Sequence, residues 1–280
     1  MIKQNSPAVA LLLALLLACK QPPQNNGTAR PPQSFDPSRS DPKALDLVEA
    51  LMDSVGADRF GRASLLSFDF FLKQNDSVIT ARSHQWKIQD GEYTLSWQEP
   101  GELQFTVVIL LQSSKGRAYR NGEPIQHPGQ NEALVRKAYA SFLHDTYWLL
   151  LPFKLKDPGV ILSYIGKDTL SGSPVEVVQL SFDRVGLTPE NSFKLYIDPQ
   201  TTLIKKWEFF KAPGDSGRPA LWDNWIDIEG MKFATHRWLA SGPYHIEFRN
   251  IRVEMKPEPP SVSRKEKQEQ PGVGGILRPY

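Results

Sequence analysis

Most of this sequence is a succession of short segments in which apolar and polar side chains alternate, and this pattern constrains the fold more than any other feature. Leu66–Leu72 is an example, because its even-numbered residues are apolar while Ser67 and Asp69 are polar. Turn-forming pairs such as Asn121-Gly122 and Asp198-Pro199 separate the segments. About a dozen such strands follow one another without alternating helices, so a Rossmann or TIM-barrel architecture is not expected.

Two segments have helical spacing instead. The first begins at Pro42, whose fixed φ suits a first helical turn, and Gly56 is a plausible stop. The second begins near Asn131 and ends before Pro152. We therefore predict a mainly β (α+β) protein with one strongly curved antiparallel sheet, or unclosed barrel, of about 11–12 strands. The two helices are expected to cover its concave face and to leave a cavity beneath them.

Composition excludes several classes of function. Lys and Arg number 33 against 31 Asp and Glu, so the chain lacks the basic excess of a nucleic-acid binder. It has one cysteine, which rules out an intrachain disulfide and a Cys-rich metal site. Gly-x-Ser-x-Gly, phosphate-binding-loop and His-Glu-x-x-His motifs are absent. We therefore predict no catalytic residues, no metal and no cofactor.

The N-terminus has the pattern of an export signal. Ala8–Ala18 is an unbroken apolar run behind Lys3, and it is too short to span a bilayer. The run leads directly into Cys19 and resembles the bacterial lipobox, which implies lipidation of this cysteine and cleavage after Ala18. Lys20 in place of aspartate favours the outer membrane, with the protein facing the periplasm. The alternative is an ordinary secretory peptide with a chance cysteine.

These patterns predict four regions. Residues 1–18 form the signal peptide, and residues 19–42 form the lipidated cysteine and a disordered, Pro- and Gln-rich tether. Residues 43–256 form the folded domain, and residues 257–280 form a disordered tail. We expect a monomer that is held to the membrane by its lipid anchor.

The middle of the chain resembles a known superfamily. The resemblance lies in five segments and covers roughly residues 43–256: His144–Leu149, Pro152–Leu155, Asp157–Val160, Phe193–Asp198 and Thr201–Trp207. They look like uncharacterised bacterial lipoproteins with the open-barrel fold of lipoprotein-localisation (LolA/LolB-like) proteins. The resemblance implies a helical cover over a hydrophobic cavity, and a lipid, an acyl chain or a lipoprotein as ligand.

The candidate site residues are mostly aromatic. Rings that line a ligand pocket and rings that fill a core have the same sequence pattern, so both interpretations stay open. His144 and Asp145 form a second candidate, a polar pair at the cavity mouth, and the other histidines are interpreted as ordinary polar residues. The candidate cavity lining is Phe68, Phe70, Trp97, Trp148, Phe182 and Phe193.

The favoured function is that of a carrier, receptor or sensor for a hydrophobic ligand. A non-enzymatic envelope scaffold is the alternative. A hydrolase is a third reading, since Asp223 and Asp227 are two carboxylates on one strand, but such spacing is typical of a solvated strand face.

Overall fold

A computed structural model describes residues 34–183, 190–240 and 242–257 of the chain. Cys19, the predicted signal peptide 1–18 and residues 258–280 lie outside the described residues. The first described residues, 34–41, belong to the predicted tether, and they lie against the folded domain rather than apart from it.

Thirteen antiparallel strands form one unclosed sheet within the described part of the chain, in the order β6-β5-β4-β3-β2-β1-β13-β12-β11-β10-β9-β8-β7. This confirms the predicted mainly β fold and its open antiparallel sheet. The strands are Ala63–Gln74 (β1), Ser77–Lys87 (β2), Glu92–Glu99 (β3), Leu103–Leu110 (β4), Lys115–Arg120 (β5), Glu123–Pro124 (β6), Val160–Leu170 (β7), Ser173–Phe182 (β8), Ser192–Ile197 (β9), Ile204–Phe210 (β10), Arg218–Ile228 (β11), Met231–Leu239 (β12) and Tyr244–Met255 (β13).

The strand count exceeds the predicted 11–12 because of the edge hairpin β5–β6. Of β5, only Ala118 is buried, so this strand carries almost no apolar alternation. Main-chain pairing with β4 holds it, and Asn121 and Gly122 adopt the positive φ angles that their tight turn requires. Pairing of this kind leaves little trace in a hydrophobic pattern.

Both predicted helices are present: Pro42–Ser54 (α1) and Pro128–Leu150 (α3). A short third helix, Ala57–Phe60 (α2), lies between α1 and β1. Gly56 ends α1 with a φ of 69°, as its predicted stop position requires. Two 3₁₀ turns, Pro37–Arg39 and Leu151–Phe153, precede α1 and follow α3.

The inward-facing side chains form two large clusters. In β1, the alternate residues Leu66, Phe68, Phe70 and Leu72 are buried, as the sequence pattern predicts. They belong to the main cluster, which lies beneath α1 and the C-terminal half of α3. A second cluster is centred on Tyr93, under the N-terminal half of the same helix. The helix α3 therefore covers both parts of the concave face.

The two ends of the sheet differ in what they carry. We call one the Trp238 end, where the turn at Asn75–Asp76 joins β1 to β2 and where β12 ends. The opposite Gly230 end carries the β11–β12 turn and the end of α1. The Asp41 N–H donates to the Leu162 carbonyl near the start of β7. The segment that precedes α1 therefore contacts the sheet at the Trp238 end.

Candidate functional site

The most polar part of the interior is on the underside of α3. Asp145 has no exposed surface, and Arg82 of β2 donates to both of its carboxylate oxygens, from Nε at 2.7 Å and from an Nη at 2.9 Å. The guanidinium also lies over the ring of Phe70, 4.7 Å from its centroid. A bidentate, charge-assisted pair of this kind fixes the helix at one position on the sheet.

His144 extends this pair along the helix. Its Nδ1 lies 2.7 Å from Asp145 Oδ1, and Trp148 Nε1 donates to its Nε2 at 3.1 Å. Since Nε2 accepts a hydrogen bond, the proton of the neutral ring is on Nδ1 and is donated to Asp145. The two candidate polar residues therefore form a hydrogen-bonded pair on the underside of α3, in which Asp145 is buried and His144 is partly buried.

His84 contacts the same carboxylate from β2. Its Nε2 is 3.2 Å from Asp145 Oδ2, at an angle too poor for a hydrogen bond, and its Nδ1 is 2.6 Å from the Tyr93 hydroxyl. Burial lowers the pKa of His84 despite the neighbouring carboxylate, so the ring is neutral at pH 7. Burial also raises the pKa of Tyr93, which keeps its phenol protonated.

Asp145 stays ionised in this environment. Burial by itself would raise the pKa of its carboxyl group, but the Arg82 charge and the hydrogen bond from His144 hold that pKa well below its usual range. We call Arg82, His84, His144 and Asp145 the buried ion network. None of its members is placed to meet a substrate in solution, because His144 is the most exposed and its side chain is only 15% accessible.

A second buried cation lies nearby on β12. Arg237 has no exposed surface, and it donates to the main-chain oxygens of Ala234, His236 and Trp148, the last near the C-terminus of α3. Its guanidinium lies 3.5 Å from the ring centroid of Trp222. Burial lowers the pKa of Arg237. This arginine therefore binds the end of the cover helix to the sheet through carbonyl groups.

Aromatic rings make up much of the main cluster around these charges. Trp207 is central, with ring centroids 4.2 Å from Trp148, 5.0 Å from Phe193 and 5.5 Å from Trp222. The indole N–H groups of Trp207 and Trp222 are buried without a hydrogen-bond partner in the described part of the chain, as are those of Trp86 and Trp225. A buried donor without an acceptor is unfavourable, so each marks a place where an acceptor atom would stabilise the protein.

The structure brings five of the six predicted cavity residues into this main cluster. Phe68 stacks on His84 at 4.4 Å, Phe70 meets His144 edge-on, and Trp148, Phe193 and Phe182 form a connected series. Trp97 lies apart in the second cluster, stacked on Phe105. Trp86 packs against both clusters and so lies between Trp97 and the other five residues.

Sequence reasoning did not select four residues of this site: Arg82, His84, Tyr93 and Arg237. A signal for two of them was available. Arg82 and Arg237 occupy positions at which the alternation of β2 and β12 places the side chain inward, so each is a charge on an apolar face. Their partners could not be found in this way, because Asp145 is 63 residues from Arg82 in the chain.

In the part of the chain that the structure describes, no three His, Cys, Asp or Glu side chains are grouped as metal ligands would be. None of the helices in those residues combines the length and the apolar character needed to cross a membrane.

Comparison with known proteins gives a match of part of the chain to one family model, and several similar solved structures. A model described as "Family of unknown function (DUF6503)" matches residues 101–234. No curated protein matches the sequence.

Three solved structures illustrate the resemblance. A DUF1329 family protein from Desulfovibrio piger is 10% identical, with a TM-score of 0.43 over 77% of this chain and 94% of that one. A LolA superfamily protein from Nitrosomonas europaea is 14% identical, with a TM-score of 0.42 over 75% and 94%. A putative outer membrane lipoprotein-sorting protein domain from Vibrio parahaemolyticus is 11% identical, with a TM-score of 0.40 over 75% and 93%. The second of these structures carries the name of the superfamily that the sequence resembles.

Proposed function

We propose that this protein binds a lipid, an acyl chain or another hydrophobic ligand between α3 and the concave face of the sheet, as a carrier, receptor or sensor. Lipidation of Cys19 would hold it on the periplasmic side of the outer membrane. The observation that carries the proposal is the way α3 is held: the buried ion network and Arg237 fix a cover helix over aromatic rings whose indole donors lack acceptors.

The chemistry of this attachment suits a cover that can open. A buried ion pair gains little net stability, because its attraction is largely offset by the loss of hydration. When α3 moves away, Arg82 and Asp145 regain water, which offsets part of the free energy needed to separate them. A helix held only by apolar side chains would have no such compensation.

The interior beneath α3 suits an apolar ligand with an acceptor group. The connected rings of Phe182, Phe193, Trp207 and Trp148 offer an apolar surface to an acyl chain. An ester or carboxylate oxygen could accept from the unpartnered indole N–H groups of Trp207 and Trp222. Phe68 and Phe70 extend this proposed lining, and His144 and Asp145 are its proposed polar boundary.

The test is quenching of tryptophan fluorescence by a brominated fatty acid. The protein would be the chain from residue 19 onward with Cys19→Ser, which keeps every residue that the structure describes. Native mass spectrometry and solvent extraction of the same sample would identify any lipid that co-purifies. We expect saturable quenching, with a bound acyl chain detected by mass.

A matched pair of variants locates the ligand. Trp207→Phe removes an indole from the main cluster, whereas Trp97→Phe removes one from the second cluster, where it donates to Glu99. We expect Trp207→Phe to lose the largest share of the quenching and Trp97→Phe to retain it. No quenching in the parent chain, or equal losses in both variants, would contradict the proposal.

A further inference from the structure

A row of exposed apolar side chains crosses the convex face of the sheet near the Trp238 end. Trp238 is 45% exposed, Leu221 44%, Val78 54% and its neighbour Ile79 37%. The row consists of two apolar pairs, Leu221 with Trp238 and Val78 with Ile79. Strand pairing places His245, which is 8% exposed, and the charged Lys73 between the two pairs.

Trp238 packs against two histidine rings. Its centroid lies 6.0 Å from that of His236, in a stacked arrangement, and 4.8 Å from that of His245. A shallow cavity of about 480 Å³ opens beside it, lined in part by Asn75 and Pro243. Neighbouring rings thus fix the indole in place while nearly half of it stays in solvent, which is unfavourable unless something covers it.

The start of the folded chain lies at the same end of the sheet. Arg39 forms an ion pair with Asp183, just after β8, and the Leu162 N–H donates to Ser40 Oγ at 3.0 Å. Five strand-to-strand steps separate β7 from β12, or roughly 24 Å at the usual spacing. The segment 20–34 could span at most roughly 50 Å. A lipid on Cys19 would therefore keep Trp238 within reach of the bilayer.

We propose that the Trp238 end docks on the lipid bilayer that holds the anchor, with Trp238, Leu221, Val78 and Ile79 at the boundary between headgroups and acyl chains. Tryptophan favours that boundary because its ring is apolar and its N–H is polar. This inference rests on the lipidation of Cys19 in the proposed function for its choice of a bilayer as the partner. It deepens that function by stating which end of the protein meets the membrane.

Sedimentation with unilamellar vesicles tests the proposal, using the chain from residue 19 with Cys19→Ser. Vesicles of phosphatidylcholine and of phosphatidylethanolamine with phosphatidylglycerol would be compared. Because the four contacting side chains are uncharged, we expect similar binding to both kinds, and little effect of salt. We expect Trp238→Ala to weaken binding by about tenfold, which corresponds to about 1.4 kcal/mol.

The control is a substitution of matched exposure elsewhere on the convex face. Leu110 is 49% exposed at the Gly230 end, so Leu110→Ser should bind vesicles like the parent chain, whereas Val78→Ser should bind more weakly. Unchanged thermal unfolding of each variant would show that the fold is intact. Equal effects of Leu110→Ser and Val78→Ser would overturn the proposal, as would binding only to anionic vesicles.

Two further measurements separate this inference from its alternatives. The apparent affinity for the brominated fatty acid should be unchanged in Trp238→Ala, so failure of vesicle docking and failure of ligand binding can be distinguished. Analytical ultracentrifugation would show whether Trp238 instead joins two copies of the chain. Self-association that Trp238→Ala abolishes, with no vesicle binding by the parent, would overturn docking on a bilayer.

Discussion

Arg82 and Arg237 are charged residues at strand positions whose neighbours point into an apolar interior, and their environments explain how each is tolerated. Arg82 meets a carboxylate in bidentate geometry. Arg237 donates from both Nη atoms to main-chain carbonyl groups and lies over the face of Trp222, while its Nε has no partner among the described residues. Both solutions connect the sheet to α3, through Asp145 and the Trp148 carbonyl. At the residue scale, two polar attachments thus add to the apolar packing of the cover helix on the sheet.

Removal of the Asp145 carboxylate should lower the stability of the protein. Asp145→Ala leaves Arg82 buried without a counter-charge, so we expect the free energy of unfolding to fall by about 3–5 kcal/mol in urea titration at pH 7. The exposed pair Glu132 and Arg136 is the control, and Glu132→Ala should change stability by less than about 0.5 kcal/mol. The double variant Arg82→Met, Asp145→Leu should recover much of the loss. A small effect of Asp145→Ala would mean that the network does not hold the helix.

His84 should make stability depend on pH in the mildly acidic range. Its pKa is lowered in the folded protein, so the unfolded chain binds more protons below about pH 6.5. The stabilisation is complete above that pH and is lost as the pH falls toward the folded pKa, by at most about 1.4 kcal/mol per pH unit. Burial and the Lys73 charge lower the pKa of His245 as well, so it adds a contribution of the same sign.

Urea titrations between pH 7 and pH 5 would measure this dependence. Asp145 contributes nothing over that range, because its pKa is far lower. We expect His84→Gln to flatten the pH dependence in part, leaving the share that belongs to His245. An identical slope in His84→Gln would show that the buried ring is not the source.

At the scale of elements, the junction of α1 with the β11–β12 turn has the tightest requirement. Gly56 has a φ of 69°, and a Cβ at this position would lie 2.1 Å from the main-chain oxygen of Gly230. The next residues are joined as well, since Lys232 N–H donates to the Val55 carbonyl at 3.0 Å. This junction sets where α1 lies against the main cluster, and only glycine fits there.

Gly56→Ala should therefore separate the helix from the turn. A left-handed φ and a contact with main-chain atoms both oppose the added methyl group, so we expect a loss of about 2–3 kcal/mol in the free energy of unfolding. Gly61 has an ordinary helical φ and more space, its nearest neighbour being 3.6 Å from a Cβ. Gly61→Ala in thermal and urea unfolding should be close to neutral. Equal losses in both variants would show that the close approach at Gly56 is not limiting.

At the scale of the whole molecule, the open sheet has two edges. One edge strand is very short, and the other is partly covered by the chain that precedes α1. The two-residue β6 forms one edge. Residues 40–41 cover the start of the other, where the Tyr164 N–H donates to Asp41 Oδ2 at 2.8 Å. An uncovered strand edge can pair with other chains. Residues 40–41, which lead into α1, therefore protect the start of β7.

The sequence by itself determined the fold class, the two long helices and the parity of strands such as β1, because alternation and helical spacing are local properties of the chain. It also identified His144 and Asp145 as neighbours. Only the tertiary structure decided that Arg82, His84 and Asp145 meet, that Trp97 is separated from the other candidate rings, and that Trp238 lies at the end where the folded chain begins. These facts depend on pairings between residues far apart in the chain, and no local pattern encodes them.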